Sequence, residues 1–395
     1  MTNTPKLFYR GQVTSADARG AWTTQPMGVT TGNWLQVTYG NGLFVAARAG
    51  AAEVATSPDG IAWTIRTTPL SASWQGLAYG NSIFVMVGSS TTSTLTSSNG
   101  INWTANAGFP SISSPRLDYN NGLFLALPLS AANVYTSANG TSWTTRTLPV
   151  SQAWKQSAYG LGTWIAVGGS GSQAARSTDA NAQTWTTSWL PNNGSGTWEG
   201  VAFGNGVFVA ISSTSTNINC ATTTDAGLNW SPRTMPVSGV GWYSIAFGDG
   251  IFTVVGYASG TATKVVAVSP DGVSWSVRSM SAPGFWQRVT YGGDRFVAVG
   301  NSSMAAVSLS ADAATVQYTV PGATTAVLTD VVLANLASSA ANVYLQVDGA
   351  TVYPVVLAAN AVQRLAPRQV LAAGQNLSIS ATQPVAVHAS GVEVT

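Results

Sequence analysis

The side chains that usually carry chemistry are scarce in this chain. Its 395 residues include one histidine, His388, one cysteine, Cys220, and fourteen Asp and Glu. A single histidine builds neither a nucleophile–base triad nor a histidine-rich metal site. A single cysteine excludes an intrachain disulfide and a thiolate metal cluster. Most carboxylates fall in turn-like contexts: Asp59, Asp179, Asp225 and Asp271 before short turns, and Asp249 and Asp294 in tight hairpins. Asp17 and Asp312 mark two junctions, and Asp330, Asp348 and Glu393 lie near the C-terminus. Glu53, Asp118 and Glu199 remain. Glycoside hydrolysis commonly needs two opposed carboxylates at a controlled separation. Glu53 and Glu199 belong to distant copies of a repeat, so hydrolysis stands as an alternative to non-catalytic recognition. No motif calls for a cofactor or a metal.

The elements that position these residues announce themselves by repetition. W-L-Q-V-T-Y-G-N-G-L-F-V at 34–45 returns as W-Q-G-L-A-Y-G-N-S-I-F-V at 74–85, W-E-G-V-A-F-G-N-G-V-F-V at 198–209 and W-Y-S-I-A-F-G-D-G-I-F-T at 242–253. Trp34, Trp74, Trp154, Trp198, Trp242 and Trp286 lead six copies, and aligning on the aromatic five places later adds a seventh with Ser114 in the Trp slot. The spacings of 40, 40, 40, 44, 44 and 44 residues match one four-stranded propeller blade per copy. Each copy reads as a Trp-led inner strand, a Gly/Asn hairpin, an apolar second strand, a third strand and a fourth led by another Trp. Gly and Asn accept the positive φ that a twist-matched two-residue turn requires. Helix-period patterning is absent, so the chain reads as all-β.

The seventh copy lacks a fourth strand of its own. Arg19-Gly20-Ala21-Trp22-Thr23-Thr24 matches D-G-I-A-W-T at 59–64, so residues 20–27 are expected to complete that blade. Closure then leaves no unpaired inner edge. The expectation is a seven-bladed β-propeller over residues 19–308, inserted into a small β-sandwich made of residues 1–18 and 309–395. T-V-Q-Y-T-V at 315–320, A-V-L-T-D-V-V-L at 326–333, N-V-Y-L-Q-V at 342–347 and N-L-S-I-S-A at 376–381 alternate as strands, with Asp348-Gly349 as a turn. K-L-F-Y-R-G-Q-V at 6–13 reads as the first sandwich strand, and S-A-D-A at both 15–18 and 310–313 brackets the insertion. An insertion costs little when its ends stay close.

Composition narrows the class further. Hydrophobic residues make up 45% and charged ones 8%, the reverse of a disordered chain. A net charge of +2 gives no electrostatic case for nucleic acid or an anionic membrane. No apolar run approaches the ~18 residues of a membrane-spanning helix, and the N-terminus lacks a secretory hydrophobic region. Fifteen Trp supply packing instead. Each buries roughly 150–250 Å², worth at most about 4–6 kcal/mol.

T-T-D-A-G-L-N-W at 223–230 fits S/T-x-D-x-G-x-x-W, while S-P-D-G-I-A-W at 57–63 and S-P-D-G-V-S-W at 269–275 are one residue shorter. S-S-N-G-I-N-W at 97–103 and S-A-N-G-T-S-W at 137–143 carry Asn instead. This region resembles the Asp-box β-propellers, a group that includes sialidases and many non-enzymatic members. The sialidases' catalytic arginine cluster and Tyr nucleophile do not carry over. Arg66, Arg146, Arg233 and Arg278 all recur as W-x-x-R on outer strands. One carboxylate per turn is also too few for Ca²⁺, which takes 6–8 oxygens.

The spliced ends resemble small β-sandwich modules of bacteriophage tail and virion proteins. The matching strings are L-F-Y-R-G-Q-V, then V-Q-Y-T-V-P-G-A-T-T-A-V-L-T-D-V-V-L-A-N, with L-A-A-G-Q-N-L-S-I at 371–379 and S-G-V-E-V at 390–394. The resemblance implies a virion protein whose sandwich docks to other virion proteins, with homo-oligomers compatible. Its propeller would bind a host-surface glycan or protein, as a tail-fibre or attachment component. A capsid or tail decoration protein without receptor role is the alternative. In a propeller, the start of each inner strand rings the upper opening, opposite the Asp-containing turns. Trp34, Trp74, Trp154, Trp198, Trp242 and Trp286 therefore either pack between blades or stack on a sugar. The residues after the leading position, namely Leu35, Gln75, Pro115, Lys155, Glu199, Tyr243 and Gln287, differ from blade to blade. Lys155, Glu199 and Tyr243 join the six Trp as candidate ligand-binding residues.

Overall fold

A computed structural model describes residues 3–13, 21–28, 33–169, 171–192, 197–214, 219–258, 261–301, 303–308, 316–319, 325–335, 341–347, 350–358, 360–366, 369–373, 375–381 and 385–394. The chain divides into two compact units, Met1–Ala21 with Ser308–Thr395, and Trp22–Val307. The S-A-D-A segments, Arg19-Gly20 and Asp348-Gly349 lie outside the described residues.

In the larger unit, the described strands pair into antiparallel sheets, three of them four-stranded blades and two of them pairs of blades run together. Blade four is typical: Trp154–Gly160, Thr163–Gly168, Gln173–Ser177 and Thr186–Trp189, paired in that order. Blades one and two run together because Thr64–Gly80 is continuous from the outer strand of one to the inner strand of the next, and Leu43–Ser57 likewise joins two strands of blade one. Leu43–Ser57 turns at Gly50, whose φ is +71°. Its first part pairs with Trp34–Gly40 and its second with Thr64–Gly80. The seventh blade contains Trp286–Gly292, Arg295–Gly300 and Met304–Ser308, and Ala21–Pro26 adds to it as the outer strand. Thr24 also binds Ser281 of blade six, through N–H to Oγ at 2.9 Å. The inner strands of successive blades touch in order, and that of blade seven meets that of blade one, so the ring is closed.

The repeated phrase explains the closure. In six blades the inner strand ends in Gly: Gly40, Gly80, Gly160, Gly204, Gly248 and Gly292. A Cβ at each would overlap the next blade's aromatic ring, respectively Tyr79, Tyr119, Phe203, Phe247, Tyr291 and Tyr39. Glycine is needed there for close approach. The departure is Asn120 in blade three. The following hairpins use left-handed pairs such as Asn41 (φ 48°) and Gly42 (φ 73°), the conformation of a type I′ turn.

At the same end, the turns before Trp63, Trp103, Trp143, Trp185, Trp230 and Trp275 are each closed by one side chain. Asp59 Oδ1 accepts from the amides of Ile61 at 2.8 Å and Ala62 at 3.0 Å, and Trp63 Nε1 donates to Gly60 O at 2.8 Å. Asn99 makes the same bonds to Ile101 and Asn102, both at 2.9 Å. The hairpins tie blades together, since Asn81 Nδ2 donates to Ala138 O at 2.8 Å and Asn205 Nδ2 to Pro270 O at 2.8 Å. The W-x-x-R arginines lie on outer strands, where Arg66 and Arg233 bond Thr56 and Thr222 of their own blades.

The smaller unit has two antiparallel sheets. One orders Asn3–Val13, Val385–Val394, Thr325–Asn335 and Val362–Leu365, with Gln369–Leu371 also on Thr325–Asn335. The other orders Val316–Thr319, Asn376–Ala381, Ala341–Val347 and Ala350–Leu357. The first strand packs near Val316–Thr319 and Asn376–Ala381 of the second sheet. Leu328, Val331, Leu333 and Leu371 are buried, with a bulge between Leu328 and Asp330 resetting the alternation. His388 stands opposite Arg10 and Val332 in register.

Candidate functional site

The inner strands do not run straight from their leading Trp. In six blades the Trp and the residue two places later pair with consecutive partners, as Trp34 with Arg48 and Gln36 with Ala47. The residue between is extra, a β-bulge, and bulges re-aim side chains. Alternation counted from the Trp is therefore reset before the channel begins.

The six leading Trp are 0–1% exposed. Each packs among apolar side chains of the preceding blade: Trp34 with Val297 and Val299, Trp198 with Ile165 and Val167, Trp242 with Val209 and Ile211. Trp74, Trp154 and Trp286 sit equivalently against Val45, Leu125 and Val255. This corrects the expectation that Trp34, Trp74, Trp154, Trp198, Trp242 and Trp286 bind ligand, because no indole face reaches the opening. Blade three, with Ser114 at this position, buries Phe109 and Ile112 against Val85 and Val87 of blade two.

The groups that face the opening are polar. A cavity of about 370 Å³ runs down the central channel, lined at its Trp-proximal end by Gln36, Arg116, Lys155, Gln156, Ser244 and Arg288. Lys155 was expected there and is there. Its Nζ lies 3.4 Å from Oε2 of Glu199 on the next blade, so this pair of candidates does meet. Tyr243 is stacked on Tyr257, centroids 4.2 Å apart and planes 3° off parallel. Its side chain is thus spoken for, while its carbonyl accepts from Arg288 at 3.3 Å. Burial and the Tyr257 hydroxyl push the Tyr243 phenol above its ordinary pKa.

Sequence reasoning missed Arg116 and Arg288 and left Asp118 unassigned. Arg288 Nε donates to Gln36 Oε1 at 3.3 Å, and Gln36 Nε2 to Gln75 O at 2.6 Å. Arg116 reaches Gln75 O at 3.4 Å, and its Nε is buried without a hydrogen-bond partner. Asp118 Oδ2 accepts from the Ser157 amide at 2.6 Å and hydroxyl at 2.9 Å. Ser244 Oγ likewise accepts from Val289 N at 3.1 Å. These bonds satisfy edge amides that no further strand covers.

Three cations, Arg116, Lys155 and Arg288, thus line one cavity with the Asp118 carboxylate, and Glu199 pairs with Lys155 beside it. Burial, then the charge of Arg288, holds the Arg116 guanidinium down to about 9, where it is still charged at neutral pH. Arg288 is lowered by burial, and Lys155 by burial and by both arginines. Burial pushes the Asp118 carboxyl up to about 6, against the pull of Ser157 and the two arginines. Glu199 is committed to Lys155 and Asp118 to Ser157. No ion pair within 4.0 Å joins either arginine to a carboxylate among the described residues. Two guanidiniums lining a cavity with no carboxylate within 4.0 Å of either among the described residues are matched to a planar or tetrahedral oxyanion.

The signal for these residues is present in the sequence as a break in the repeat. The position two after the leading residue reads Gln36, Gly76, Arg116, Gln156, Gly200, Ser244 and Arg288. Asp118 stands where other blades have Thr38, Ala78, Ala158, Ala202, Ala246 and Thr290.

No protein-family model and no curated protein sequence matches the chain. Among solved structures, YCF48 bound to a D1 peptide is 14% identical, with a TM-score of 0.58 over 75% of this chain and 99% of that one. Virginiamycin B lyase from Staphylococcus aureus is 12% identical, with a TM-score of 0.62 over 73% of this chain and 99% of that one. A GH74 enzyme of Niastella koreensis is 20% identical, with a TM-score of 0.51 over 72% of this chain and 44% of that one. At these identities the likeness establishes the β-propeller fold alone.

Proposed function

We propose that this chain is a bacteriophage virion protein, a tail-fibre or attachment component whose propeller binds a host-surface receptor. The observation that carries the recognition role is the channel mouth. In a chain with 8% charged residues, Arg116, Asp118, Lys155 and Arg288 line one cavity, and Glu199 pairs with Lys155 beside it. The scaffold around them repeats and they do not. The particle role rests on the likeness of residues 1–18 and 309–395 to small virion sandwiches, which would dock to other virion proteins. Each site need supply little affinity. A millimolar contact is only about −4 kcal/mol, and many copies on one particle multiply it through effective concentration.

The test is adsorption of the intact protein to host cells, with its position on the particle fixed by immunolabelling. Binding to cells and label at the distal tail are expected. Label on the capsid, or unimpaired adsorption by particles lacking the protein, overturns the attachment role in favour of decoration.

One observation favours a second reading, hydrolysis. Asp118 lines the cavity and Glu199 pairs with Lys155 beside it, and an acid held near 6 is in the range of a general acid. Asp118→Asn and Glu199→Gln would each abolish turnover of an oligosaccharide. Failure of the wild-type protein to release reducing ends from host polysaccharide ends that idea.

A further inference from the structure

We propose that Arg116 and Arg288, with Lys155 beside them, form a binding site for the carboxylate or sulfate group of an acidic sugar. The inference deepens the receptor-binding reading and rests on it for biological meaning. Its physical grounds are separate. Arg288 comes from blade seven and Arg116 from blade three, and both line the same cavity. Neither has a carboxylate within 4.0 Å among the described residues, and the buried Nε of Arg116 has no hydrogen-bond partner. Like charges confined in one low-dielectric well repel. They are held in place by neutral carbonyl and amide groups: Gln75 O for Arg116, and Gln36, Tyr243 O and Gln287 O for Arg288. An arriving oxyanion would relieve that repulsion and accept from the free donors.

The rest of the cavity fits a sugar better than a polyanion or an extended peptide. Its volume of about 370 Å³ is at the lower end of the range for small-ligand sites, roughly 300–1,000 Å³. Gln156, Thr38 and Thr290 are among its lining residues, and amides and hydroxyls are the groups that bond sugar hydroxyls. Asp118 lines the cavity and Glu199 pairs with Lys155 beside it, so a ligand with several adjacent negative charges is disfavoured and one with a single charged group is accommodated.

The test is calorimetric titration of the intact chain with four probes: methyl galacturonoside, methyl galactoside, sodium sulfate and N-acetyl-triglycine. The uronoside is expected to bind with a dissociation constant of about 1 mM, and the neutral galactoside about tenfold or more weaker. Arg116→Gln and Arg288→Gln should each weaken the uronoside by about tenfold or more, while Arg66→Gln on an outer strand leaves it unchanged. Arg116→Lys and Arg288→Lys keep the charge but lose the fork, and should fall between. They serve if a Gln variant fails to fold. Equal binding of the acid and neutral sugars overturns the proposal, as does uronoside binding that all four channel variants retain. Sulfate binding without uronoside binding, or tighter binding of the peptide carboxylate, overturns the sugar assignment. Uronoside binding by a protein that does not adsorb to host cells leaves this site standing and removes the receptor role. Adsorption without uronoside binding does the reverse.

Discussion

The two ends of the propeller's inner strands are built from one repeated sentence and have opposite characters. At the C-terminal end every blade does nearly the same thing. A glycine lies against the next ring, a left-handed pair turns the chain, and an Asp or Asn closes the neighbouring turn. At the N-terminal end the Trp are uniform and buried, but the next two residues vary from blade to blade and gather charge. Uniformity marks the residues that close a ring, because each blade must meet an equivalent neighbour. Variation marks those that face the lumen, because no symmetry constrains them.

The acids at the two ends illustrate the difference. Asp225, in a turn, is lowered to about 2, chiefly by the Asn229 amide and the Thr223 hydroxyl. Asp118, in the channel, is raised to about 6 by burial. A lowered carboxyl contributes stability that is present above its unfolded pKa and lost as pH falls through the folded value. A raised one contributes stability that is present below the unfolded value and lost as pH rises through about 6. The same residue type therefore carries opposite pH signs at the two ends.

The largest effect should come from the shared scaffold. Trp198→Ala removes a fully buried side chain and should cost about 3–5 kcal/mol in urea unfolding. A cost below about 1 kcal/mol would mean the lead Trp are not the packing between blades. Next, Gly204→Ala forces a methyl into Phe247 and should cost about 1–3 kcal/mol. Arg288→Gln, at the other end, should leave the melting temperature unchanged or raise it, since it removes a buried charge with a like neighbour. A loss as large as that of Gly204→Ala would erase the distinction between closing and lining residues.

Asp118→Asn should be more stable than wild type above about pH 6, with the difference shrinking toward pH 4. Melting curves across that interval decide it, and a constant offset would show that the Asp118 pKa does not differ between folded and unfolded chain. The same substitution removes a negative charge that acts on Arg116 and Arg288, so it should tighten oxyanion binding at pH 7. The smallest effect is expected at Leu161, an exposed leucine in a hairpin at φ 50°. Leu161→Asn should gain about 1 kcal/mol or less, because Asn tolerates the left-handed region that leucine resists. No gain in chemical denaturation would locate the strain elsewhere.

Much of the fold was written in the primary structure. The repeat length, the Gly/Asn hairpins and the unmatched strand around Trp22 specify a closed ring of four-stranded blades, because each is a local, periodic property of the chain. The departures, Ser114 and the unlike residues after each Trp, also marked the end of the channel where Lys155 and Glu199 pair. The six Trp could not be assigned locally, since stacking on a sugar and packing on a blade ask for the same residue, and only the burial against the preceding blade decides. Arg116, Asp118 and Arg288 come from blades three and seven, and their meeting depends on ring closure. A one-residue bulge resets which side chains turn inward. Local patterning thus determined the blades and their order, and the tertiary ring alone decided which charges share a cavity and which are left without partners.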